Sequence, residues 1–411
     1  MNHLKLSMTS RKLTAIDLFA GAGGLSQALK STGFSVLGAI EYEKTFASTY
    51  QENHGDHVWV GDITDVNCSD FAEKFNVVPR ELDLLAGCSP CQGFSKQFKY
   101  KKNKKNRVRE EDPRNLLVFQ YLRFVLYFQP KYLFFENVPG IVAHPWIFRL
   151  FVSKLSSPQR KFPGYNIRYE TINAADYGVP QRRKRFVLLG KRKDIFGGQT
   201  IEEIFPAATH GDPTLLDGNE NIQPWVTLEE AIGHLPRLEA GQIDNSDPLH
   251  FAKKISEINK IRLTFTPHNG GSRKDWPDYF IALPPETGIA PVDLWLSCHK
   301  KGEKKVGYGD VYGRMNYSTV SSTLTGGCLS ITKGRFAHPI QDRAISAREA
   351  ALIQTFPSNY IFKGSKEKIA IQIGNAVPVK MGETFAEHIK KDWICIEKEY
   401  SEINHVACVI K

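Results

Sequence analysis

The stretch Leu13–Leu29 reads Leu-Thr-Ala-Ile-Asp-Leu-Phe-Ala-Gly-Ala-Gly-Gly-Leu-Ser-Gln-Ala-Leu, and its pattern indicates the fold. The apolar run from Leu13 to Phe19 predicts a buried strand, which is followed by a glycine turn and by the predicted helix Leu25–Leu29. A strand, a glycine turn and a helix open the nucleotide-binding α/β folds. A dinucleotide dehydrogenase uses a similar layout and is the alternative, and the glycines, which do not form a clean G-x-G-x-x-G pattern, are a weak signal on their own.

Two acidic residues follow the next two predicted strands. The strand Val36–Ile40 ends in Glu41, at the position where a nucleotide-binding fold places the acid that binds ribose hydroxyls. The strand His57–Val60 runs into Gly61-Asp62-Ile63, and Asp62 suits a hydrogen bond to an adenine amino group. The alternative role for Asp62 is that of a helix N-cap.

A second loop carries a candidate nucleophile. The apolar run Leu82–Ala86 predicts a short buried strand, after which the chain reads Gly87-Cys88-Ser89-Pro90-Cys91-Gln92-Gly93-Phe94-Ser95. Pro90 stiffens the backbone in front of the Cys91 thiol, and the glycines leave room for another molecule to approach. This pattern predicts a cysteine sulfur held at a fixed point above the sheet. The alternative is that Cys91 is an ordinary buried cysteine.

The following elements bring a carboxyl group to the same edge of the sheet. The apolar run Leu116–Phe128 predicts a buried helix closed by Pro130, and Tyr132–Phe135 predicts a strand that ends in Glu136. Ligands of open α/β sheets lie at the carboxyl ends of the strands. We therefore expect one site at this edge, formed by Gly21, Glu41, Asp62, Cys91 and Glu136.

A basic run precedes the last predicted strand. Strands are predicted at Ile167–Ile172 and Phe186–Leu189, and the run Tyr177–Arg185 between them reads Tyr-Gly-Val-Pro-Gln-Arg-Arg-Lys-Arg. Because side chains alternate in direction along an extended chain, this run is predicted to point Arg183 and Arg185 into the site. The alternative is a basic surface turn.

Two further regions are rich in basic and loop-forming residues. Lys99–Arg107 follows the candidate nucleophile and predicts a lid that contacts phosphate, with a solvated surface as the alternative. From about Lys191 to Arg343, Pro, Gly and Asn become frequent and the strand–helix alternation is lost, which predicts a second, irregular domain. We call residues 191–343 the central region.

Regular structure is predicted to return after the central region. Ser346 begins a capped helix that runs towards Phe356. The stretch Gln372–Pro378 is predicted to open a last helix, which runs past Ala386.

Composition limits the classes of protein to consider. The chain has 411 residues, 41% of them hydrophobic, which is enough for a large core split into two domains. Its net charge of +10 favours a polyanionic partner. Of the seven cysteines, Cys88 and Cys91 come closest to a zinc-ligand spacing, but no second pair completes a tetrahedral site, so we expect no metal and reduced thiols in an intracellular protein. No transmembrane span, signal peptide or internal repeat is predicted.

Taken in order, these motifs resemble those of the DNA (cytosine-5)-methyltransferases. The resemblance runs from about residue 13 to 390, except in the middle of the central region, and the basic run after Cys91 is longer than the family's usual catalytic loop. The matching segments are, for the S-adenosylmethionine loop, Asp17–Gly24; for the nucleophile motif, Pro90-Cys91-Gln92; for the two base-handling motifs, Glu136-Asn137-Val138 and Gln181–Arg185; and for the closing motifs, Arg348–Pro357 and Gln372–Pro378.

The resemblance implies an α/β fold. The expected architecture is a mixed, mostly parallel, Rossmann-like sheet with helices on both faces, together with a small irregular target-recognition domain. Residues 1–190 would form the first part of the catalytic and cofactor-binding domain, residues 191–343 the target-recognition domain, and residues 344–411 a C-terminal segment that returns to the catalytic domain. Double-stranded DNA would lie in the cleft between them.

The resemblance also implies an activity and a set of site residues. The activity is site-specific transfer of a methyl group from S-adenosyl-L-methionine to C5 of a flipped-out cytosine, with S-adenosyl-L-homocysteine as the product. Cys91 would add to C6, Glu136 would assist at N3, and Arg183 and Arg185 would hold the base, Glu136 and a phosphate in register. The implied cofactor contacts are Phe19, Gly21, Gly23, Gly24, Glu41, Tyr42, Asp62, Ile63, Pro90, Leu117, Asn375 and Val377.

The biological setting implied is that of a prokaryotic restriction-modification enzyme. We expect a monomer in the cytoplasm, associated with the nucleoid and not with a membrane, and a cognate restriction endonuclease that acts on the same site without a stable complex. The tRNA-methylating branch is a rival, which the long central region and the absence of a Cys-Phe-Thr tripeptide disfavour. A non-catalytic relative is a second rival, which would be expected to lose Cys91 or Glu136.

Overall fold

The computed structural model describes residues 11–90, 112–196, 205–216, 221–276, 294–296 and 309–409, with side chains as far as residue 397. The strands are β1 (Thr14–Leu18), β2 (Ser35–Glu41), β3 (Val58–Val60), β4 (Leu84–Gly87), β5 (Tyr132–Asn137), β6 (Tyr165–Asn173), β7 (Lys184–Arg192), β8 (His210–Gly211) and β9 (Gln223–Pro224). Seven of them form one sheet in the order β3-β2-β1-β4-β5-β7-β6, and β8 pairs with β9.

The seven-stranded sheet is mixed. Strands β1 to β5 run parallel to one another, and β7 lies antiparallel between β5 and β6. This confirms the predicted mixed, mostly parallel sheet. Every predicted strand is present within a few residues of its expected bounds, and β6 and β7 are longer than predicted because they pair with each other from Tyr165–Arg192 to Asn173–Lys184.

The strand order reverses between β1 and β4. From β1 the chain moves outwards to β2 and β3 on one side, and β4 then returns to the other side of β1. In sheets of this kind the crevice outside the carboxyl ends at the reversal is the place where ligands bind. Two loops leave the sheet there: the glycine loop Phe19–Gly24 after β1, and the loop that begins at Cys88 after β4.

Helices cover both faces of this sheet. On one face, Phe71, Phe124 and Phe151 are fully buried, and on the other face Leu29 and Phe385 pack against the strands. In the described residues, no helix has both the length and the apolar character needed to cross a membrane. The helices are α1 (Gly24–Ser31), α2 (Lys44–His54), α3 (Cys68–Lys74), α4 (Val118–Phe128), α5 (Pro145–Ser156), α6 (Lys193–Phe196), α7 (Leu228–Ile232), α8 (Glu257–Thr264), α9 (Ala347–Ile353), α10 (Lys366–Asn375) and α11 (Val379–Val409).

The prediction that Gln372–Pro378 opens the last helix is wrong. Gln372 lies inside α10, which ends at Asn375, and a new helix, α11, begins at Val379. The reason is Pro378, because a proline disfavours helical geometry in the residue before it while it is well tolerated at a helix start. The break leaves the short non-helical segment Ala376–Pro378 between two helices.

Regular elements are few in the described parts of the central region, which contain the short helix α6 together with β8, β9, α7 and α8. Its apolar residues form two clusters apart from the sheet, one around Leu228, Phe251 and Leu324 and one around Leu263 and Trp276. The first cluster also includes residues of α9 and α10, whereas α11 packs on the sheet. The division of the chain into domains at 190 and 343 therefore stays a prediction.

An ion pair ties α11 to the middle of the sheet. Asp392 accepts hydrogen bonds from Lys191 Nζ on β7 at 2.6 Å and from the Tyr132 hydroxyl on β5 at 2.5 Å. The Lys191 side chain is 2% exposed. A buried ammonium needs a counter-charge, so this contact holds the C-terminal helix against the strands.

We predict that Asp392→Asn destabilises the protein by about 3 to 5 kcal/mol, because it leaves the buried Lys191 ammonium without its counter-charge. The free energy of unfolding from a urea titration is the measurement. The matched control is Asp310→Asn, which removes the exposed partner of Arg335 and should cost at most about 1 kcal/mol. Equal losses in the two variants would contradict this role for Asp392.

Candidate active site

The glycine loop leaves β1 in a conformation that ordinary residues rarely adopt. Gly21 and Gly23 have positive φ angles of 58° and 90°, and so does Phe19, at 60°. A positive φ is strained in an aromatic residue, and such strain is concentrated at functional sites. A Cβ atom added to Gly21 would meet nothing within 4 Å. The loop is therefore open above Gly21, and a ligand can approach its backbone there.

Later parts of the chain hold the loop from behind. A Cβ atom on Gly23 would lie 2.8 Å from the hydroxyl of Tyr360, and one on Gly24 would lie 2.9 Å from the carbonyl oxygen of Val377. The Tyr360 hydroxyl also donates to the Ala22 carbonyl at 2.5 Å. Gly23 and Gly24, predicted as cofactor contacts, are thus required for close packing, while Gly21 alone of the three faces open space.

Glu41 lies at the carboxyl end of β2, as predicted, and fixes the glycine loop. Its Oε2 accepts from the Gly21 N–H at 2.8 Å, and its Oε1 accepts from the Glu43 N–H at 2.8 Å. The side chain is buried, and this burial raises the pKa of the Glu41 carboxyl. Glu41, which is predicted to bind the ribose hydroxyls, therefore also fixes the conformation of the glycine loop.

Asp62 is the N-cap of the turn that follows β3, which is the alternative role that the sequence indicated for it. Its Oδ1 accepts from the Thr64 N–H at 2.9 Å and from the Thr64 hydroxyl at 2.8 Å, which caps the 3-10 turn Ile63–Asp65. This turn is clamped from behind by Arg123, which donates to the Ile63 carbonyl at 2.6 Å. The side chain of Asp62 is thereby held at the carboxyl end of β3.

Apolar candidates lie around these acids. Phe19, Ile63 and Leu117 follow or adjoin different elements and all belong to the large apolar cluster on one face of the sheet. Tyr42, which follows Glu41, is 70% exposed. An exposed ring beside buried apolar residues is a surface on which a flat apolar group can pack.

The loop after β4 is tied to β5. The side-chain amide of Asn137 donates to Ser89 Oγ at 3.0 Å and to the Ser89 carbonyl at 3.2 Å. Pro90 is half-buried, and the candidate nucleophile Cys91 lies outside the described residues, as does the predicted lid Lys99–Arg107. Asn137 is a residue whose role the motif alone did not reveal, because its partner is 48 positions earlier in the chain.

Cys88 is the other thiol of this loop, and its surroundings make it a poor nucleophile. It packs against the core beside β4, and it lies near the carboxyl group of Glu136. Burial and then the charge of Glu136 raise the pKa of the Cys88 thiol well above its usual value. Because the thiolate is the reactive form, Cys88 is held in the unreactive one.

Glu136 and Arg185 form an ion pair at the carboxyl edge of β5. The distance between Arg185 Nε and Glu136 Oε1 is 2.8 Å, and both side chains are about one-tenth exposed, at 11% and 9%. Glu136 pairs with Val187 of the antiparallel strand β7, and Arg185 is two residues before Val187, on the same face. Two residues predicted from separate motifs are thus brought into contact.

Arg183, which was predicted together with Arg185 to hold the base, Glu136 and a phosphate in register, is buried behind the edge of the site, and its role there stays a prediction. Its side chain is 1% exposed, and its guanidinium donates to three backbone carbonyls of later segments. The alternation along the chain does place Arg183 and Arg185 on the same side. The later segments cover the position of Arg183, however, and leave that of Arg185 open to the edge.

The last two cofactor candidates, Asn375 and Val377, lie at the break between α10 and α11. Asn375 is exposed at the end of α10, and Val377 is buried. Because the Val377 carbonyl abuts Gly24, this segment lies beside the glycine loop, where it was predicted to close the pocket.

Two other properties of the described residues bear on the location of the site. Within these residues no group of three or more His, Cys, Asp or Glu side chains could hold a metal ion. A crevice of about 680 Å³ lies beside β6, bordered by Asp176, Arg182 and Trp225. It mixes acidic and basic side chains and does not include the carboxyl ends of β1 and β4, so it is not the site described above.

Comparisons with known proteins agree with this arrangement. A family model described as C-5 cytosine-specific DNA methylase matches residues 13–391. The type II methylase M.HgiDII of Herpetosiphon aurantiacus is 33% identical over 383 residues, which cover 92% of this chain and 94% of the relative. The type II methyltransferase M1.HphI of Haemophilus parahaemolyticus is 32% identical over 92% of this chain and 87% of its own.

A solved structure shares the fold. An E. coli prophage protein described as a DNA modification methyltransferase has a TM-score of 0.61 and 24% identity, over 92% of this chain and 99% of that one. The family match spans nearly the whole chain, including every motif at the carboxyl edge of the sheet. The chain therefore belongs to the C-5 cytosine-specific DNA methylase family, and it is a DNA (cytosine-5)-methyltransferase.

Proposed function

We propose that this enzyme transfers a methyl group from S-adenosyl-L-methionine to C5 of a cytosine flipped out of duplex DNA, through a covalent bond between Cys91 and C6. The observation that carries the proposal is the Glu136–Arg185 ion pair, which lies beside the strand end that leads into Pro90-Cys91-Gln92. The roles of the individual residues follow from the chemistry that the reaction requires.

The reaction needs a nucleophile because cytosine C5 is itself a poor one. Addition of the Cys91 thiolate to C6 breaks the C5–C6 double bond and makes C5 an enamine carbon, which can take up a methyl group. The C5 proton then leaves, and the sulfur is expelled as C5–C6 is restored. The raised pKa of Cys88 supports the choice of Cys91 over its neighbour.

Glu136 is proposed to act at N3 of the ring. Addition at C6 moves electron density towards N3, where a carboxyl group can donate a proton or a hydrogen bond. Arg185 holds the Glu136 carboxyl in place through Nε, and its Nη1 donates to the Lys184 carbonyl at 2.7 Å. Its Nη2 would then donate to the carbonyl oxygen of the base or to a phosphate.

The residues at the ends of β1 to β3 fit S-adenosyl-L-methionine. The backbone above Gly21 is open, Glu41 can accept from ribose hydroxyls, and Asp62 can accept from an adenine amino group. Phe19, Tyr42, Ile63 and Leu117 offer apolar surface for the adenine ring. The cofactor would supply the methyl group as an electrophile, and these residues would orient it towards the loop after β4.

Duplex DNA is the proposed substrate form. The net charge of +10 favours a polyanion, and a base inside the stack must be flipped out before a cysteine can reach it. We propose that the central region reads the target sequence and that the Lys99–Arg107 run contacts phosphates. We also propose that the enzyme acts as a monomer and shares its site with a restriction endonuclease, in line with the names of its type II relatives.

We predict that duplex DNA with 5-fluorocytosine at the target forms a denaturant-resistant complex with the enzyme when S-adenosyl-L-methionine is present. The fluorine cannot leave as a cation, so the bond from Cys91 to C6 is trapped after methyl transfer. Peptide mass spectrometry identifies the modified residue. Cys91→Ala should abolish the complex and methylation while DNA binding persists.

The thiol control for this experiment is Cys395→Ser, which removes an exposed cysteine on α11 and should leave the trapped complex unchanged. An adduct on Cys88, or methylation that persists in Cys91→Ala, would contradict the assignment of Cys91.

We predict that Glu136→Gln lowers kcat by roughly 10² to 10⁴-fold, the size of a general-acid contribution, and leaves the Kd for S-adenosyl-L-homocysteine nearly unchanged. Steady-state methylation of DNA under multiple-turnover conditions and calorimetric titration of the cofactor product measure the two quantities. Glu170→Gln, which removes a carboxylate that pairs with Arg168 on the half-exposed strand β6, is the control. Comparable losses of kcat in both variants would refute the role of Glu136.

We predict that exchange of residues 191–343 for the corresponding segment of a relative with a different target moves the methylated site and preserves the chemistry. Bisulfite sequencing of DNA from a host that expresses the chimera reads out the site. An active chimera that keeps its original site would show that the central region does not determine specificity.

A further inference from the structure

Arg183 lies where three separate parts of the chain meet. Its Nη1 donates to the carbonyls of Leu324 at 2.9 Å and Gly374 at 3.1 Å, and its Nη2 donates to the Ala376 carbonyl at 3.0 Å. Leu324 belongs to the central region, whereas Gly374 and Ala376 flank Asn375. A guanidinium presents its donors on separate nitrogens in a rigid planar fork, so Nη1 and Nη2 reach carbonyls at two different places, which the single nitrogen of an ammonium group cannot do.

The backbones that Arg183 joins are in direct contact. A Cβ atom on Gly374 would lie 2.1 Å from the carbonyl carbon and oxygen of Thr325. Gln181 supports the same junction, because its Oε1 accepts from the Leu324 N–H at 2.9 Å and its amide donates to Gln354 at 2.7 Å. If the segment that contains Asn375 shifts, the part of the central region around Leu324 and Thr325 must therefore shift with it.

The same segment reaches the glycine loop on its other side. The carbonyl of Val377, one residue after Ala376, abuts Gly24. Arg183 itself begins the approach to β7, and two residues later Arg185 contacts Glu136. Arg183 is thus hydrogen-bonded both to the segment beside the glycine loop and to the central region. It is also only two residues from Arg185, which pairs with Glu136.

We propose that Arg183 is a positioning residue that couples the binding of the cofactor to the binding of DNA. The inference rests on the proposed function, because it takes the glycine loop as the cofactor site and the central region as a DNA-binding part. Cofactor contacts at Asn375 and Val377 fix the carbonyls on either side of Asn375. Arg183 then fixes Leu324 relative to them, so the central region is held in the orientation that DNA requires.

Coupling of this kind has a measurable and reciprocal size. If the cofactor product tightens DNA binding by a given factor, DNA must tighten binding of the cofactor product by the same factor. We expect a factor of about 5 to 150 for the unmodified enzyme, the usual range for such coupling. In Arg183→Lys the factor should fall towards about 1, because a single lysine nitrogen cannot occupy both the Nη1 and the Nη2 position from which the three carbonyls are bound.

The experiment measures the Kd of a duplex that carries the target site, with and without saturating S-adenosyl-L-homocysteine, by fluorescence anisotropy. The reciprocal titration of S-adenosyl-L-homocysteine with and without DNA, by calorimetry, checks the factor. The target site comes from bisulfite sequencing of DNA methylated by the enzyme. Arg183→Lys and the unmodified enzyme are compared as full-length chains.

Arg314→Lys is a closely matched control. Arg314 is also fully buried and donates to four backbone carbonyls, those of Leu263, Thr266, His338 and Gln341, and all of these lie within the central region. Its replacement should lower Tm and leave the coupling factor unchanged. Loss of coupling in Arg183→Lys but not in Arg314→Lys supports the inference, whereas equal loss in both overturns it.

A second variant covers the case in which Arg183→Lys does not fold. Gln181→Met has a similar volume but loses the bonds to Leu324 and Gln354, and it should lower the coupling factor by severalfold. A factor that stays at its unmodified value in the variant tested, or a factor of 1 in the unmodified enzyme, overturns the inference. If the unmodified enzyme does not bind S-adenosyl-L-homocysteine at all, that result would instead overturn the proposed function.

Discussion

A buried carboxylate needs a partner, and the arrangement of this sheet meets that need for Glu136. Glu136 lies at the carboxyl end of a parallel strand with little access to water, where an unpaired charge would be costly. A parallel neighbour would present its own carboxyl end there. The antiparallel strand β7 presents its amino-terminal end instead, so the basic residues that precede and begin β7 lie beside the acidic end of β5. The Arg185–Glu136 contact depends on this reversal of direction.

The same edge depends on contacts that close the fold from the far end of the chain. Tyr360 and Val377 pack behind the glycine loop, and Asp392 anchors α11 to the strands through Lys191. The glycine loop can therefore keep its strained backbone at Phe19 because later segments surround it. The candidate site at the start of the chain is held in place by packing from its end.

Sequence patterns predicted what is local. Apolar runs gave the strands, and the rule for open α/β sheets placed Glu41, Asp62 and Glu136 at one edge, because it depends on strand direction alone. Long-range partners were beyond such patterns: Asn137 with Ser89, Tyr360 with Ala22, and Arg183 with three carbonyls. The alternation of side chains along an extended strand correctly placed Arg183 and Arg185 on the same side of the chain. It could not show that later segments bury Arg183 whereas Arg185 pairs with Glu136. The stretch Gln372–Pro378 was assigned to the start of the last helix because the preceding helix Lys366–Asn375 was not predicted.

The central claim is that the enzyme methylates C5 of cytosine in duplex DNA with S-adenosyl-L-methionine as the donor. The most direct measurement is to incubate duplex DNA with enzyme and donor labelled in the methyl group, digest the DNA to nucleosides and identify the labelled product by mass spectrometry. The predicted result is label in 5-methyl-2′-deoxycytidine. Label on the exocyclic amino group of cytosine or adenine, or label in tRNA but not in DNA, would contradict the claim.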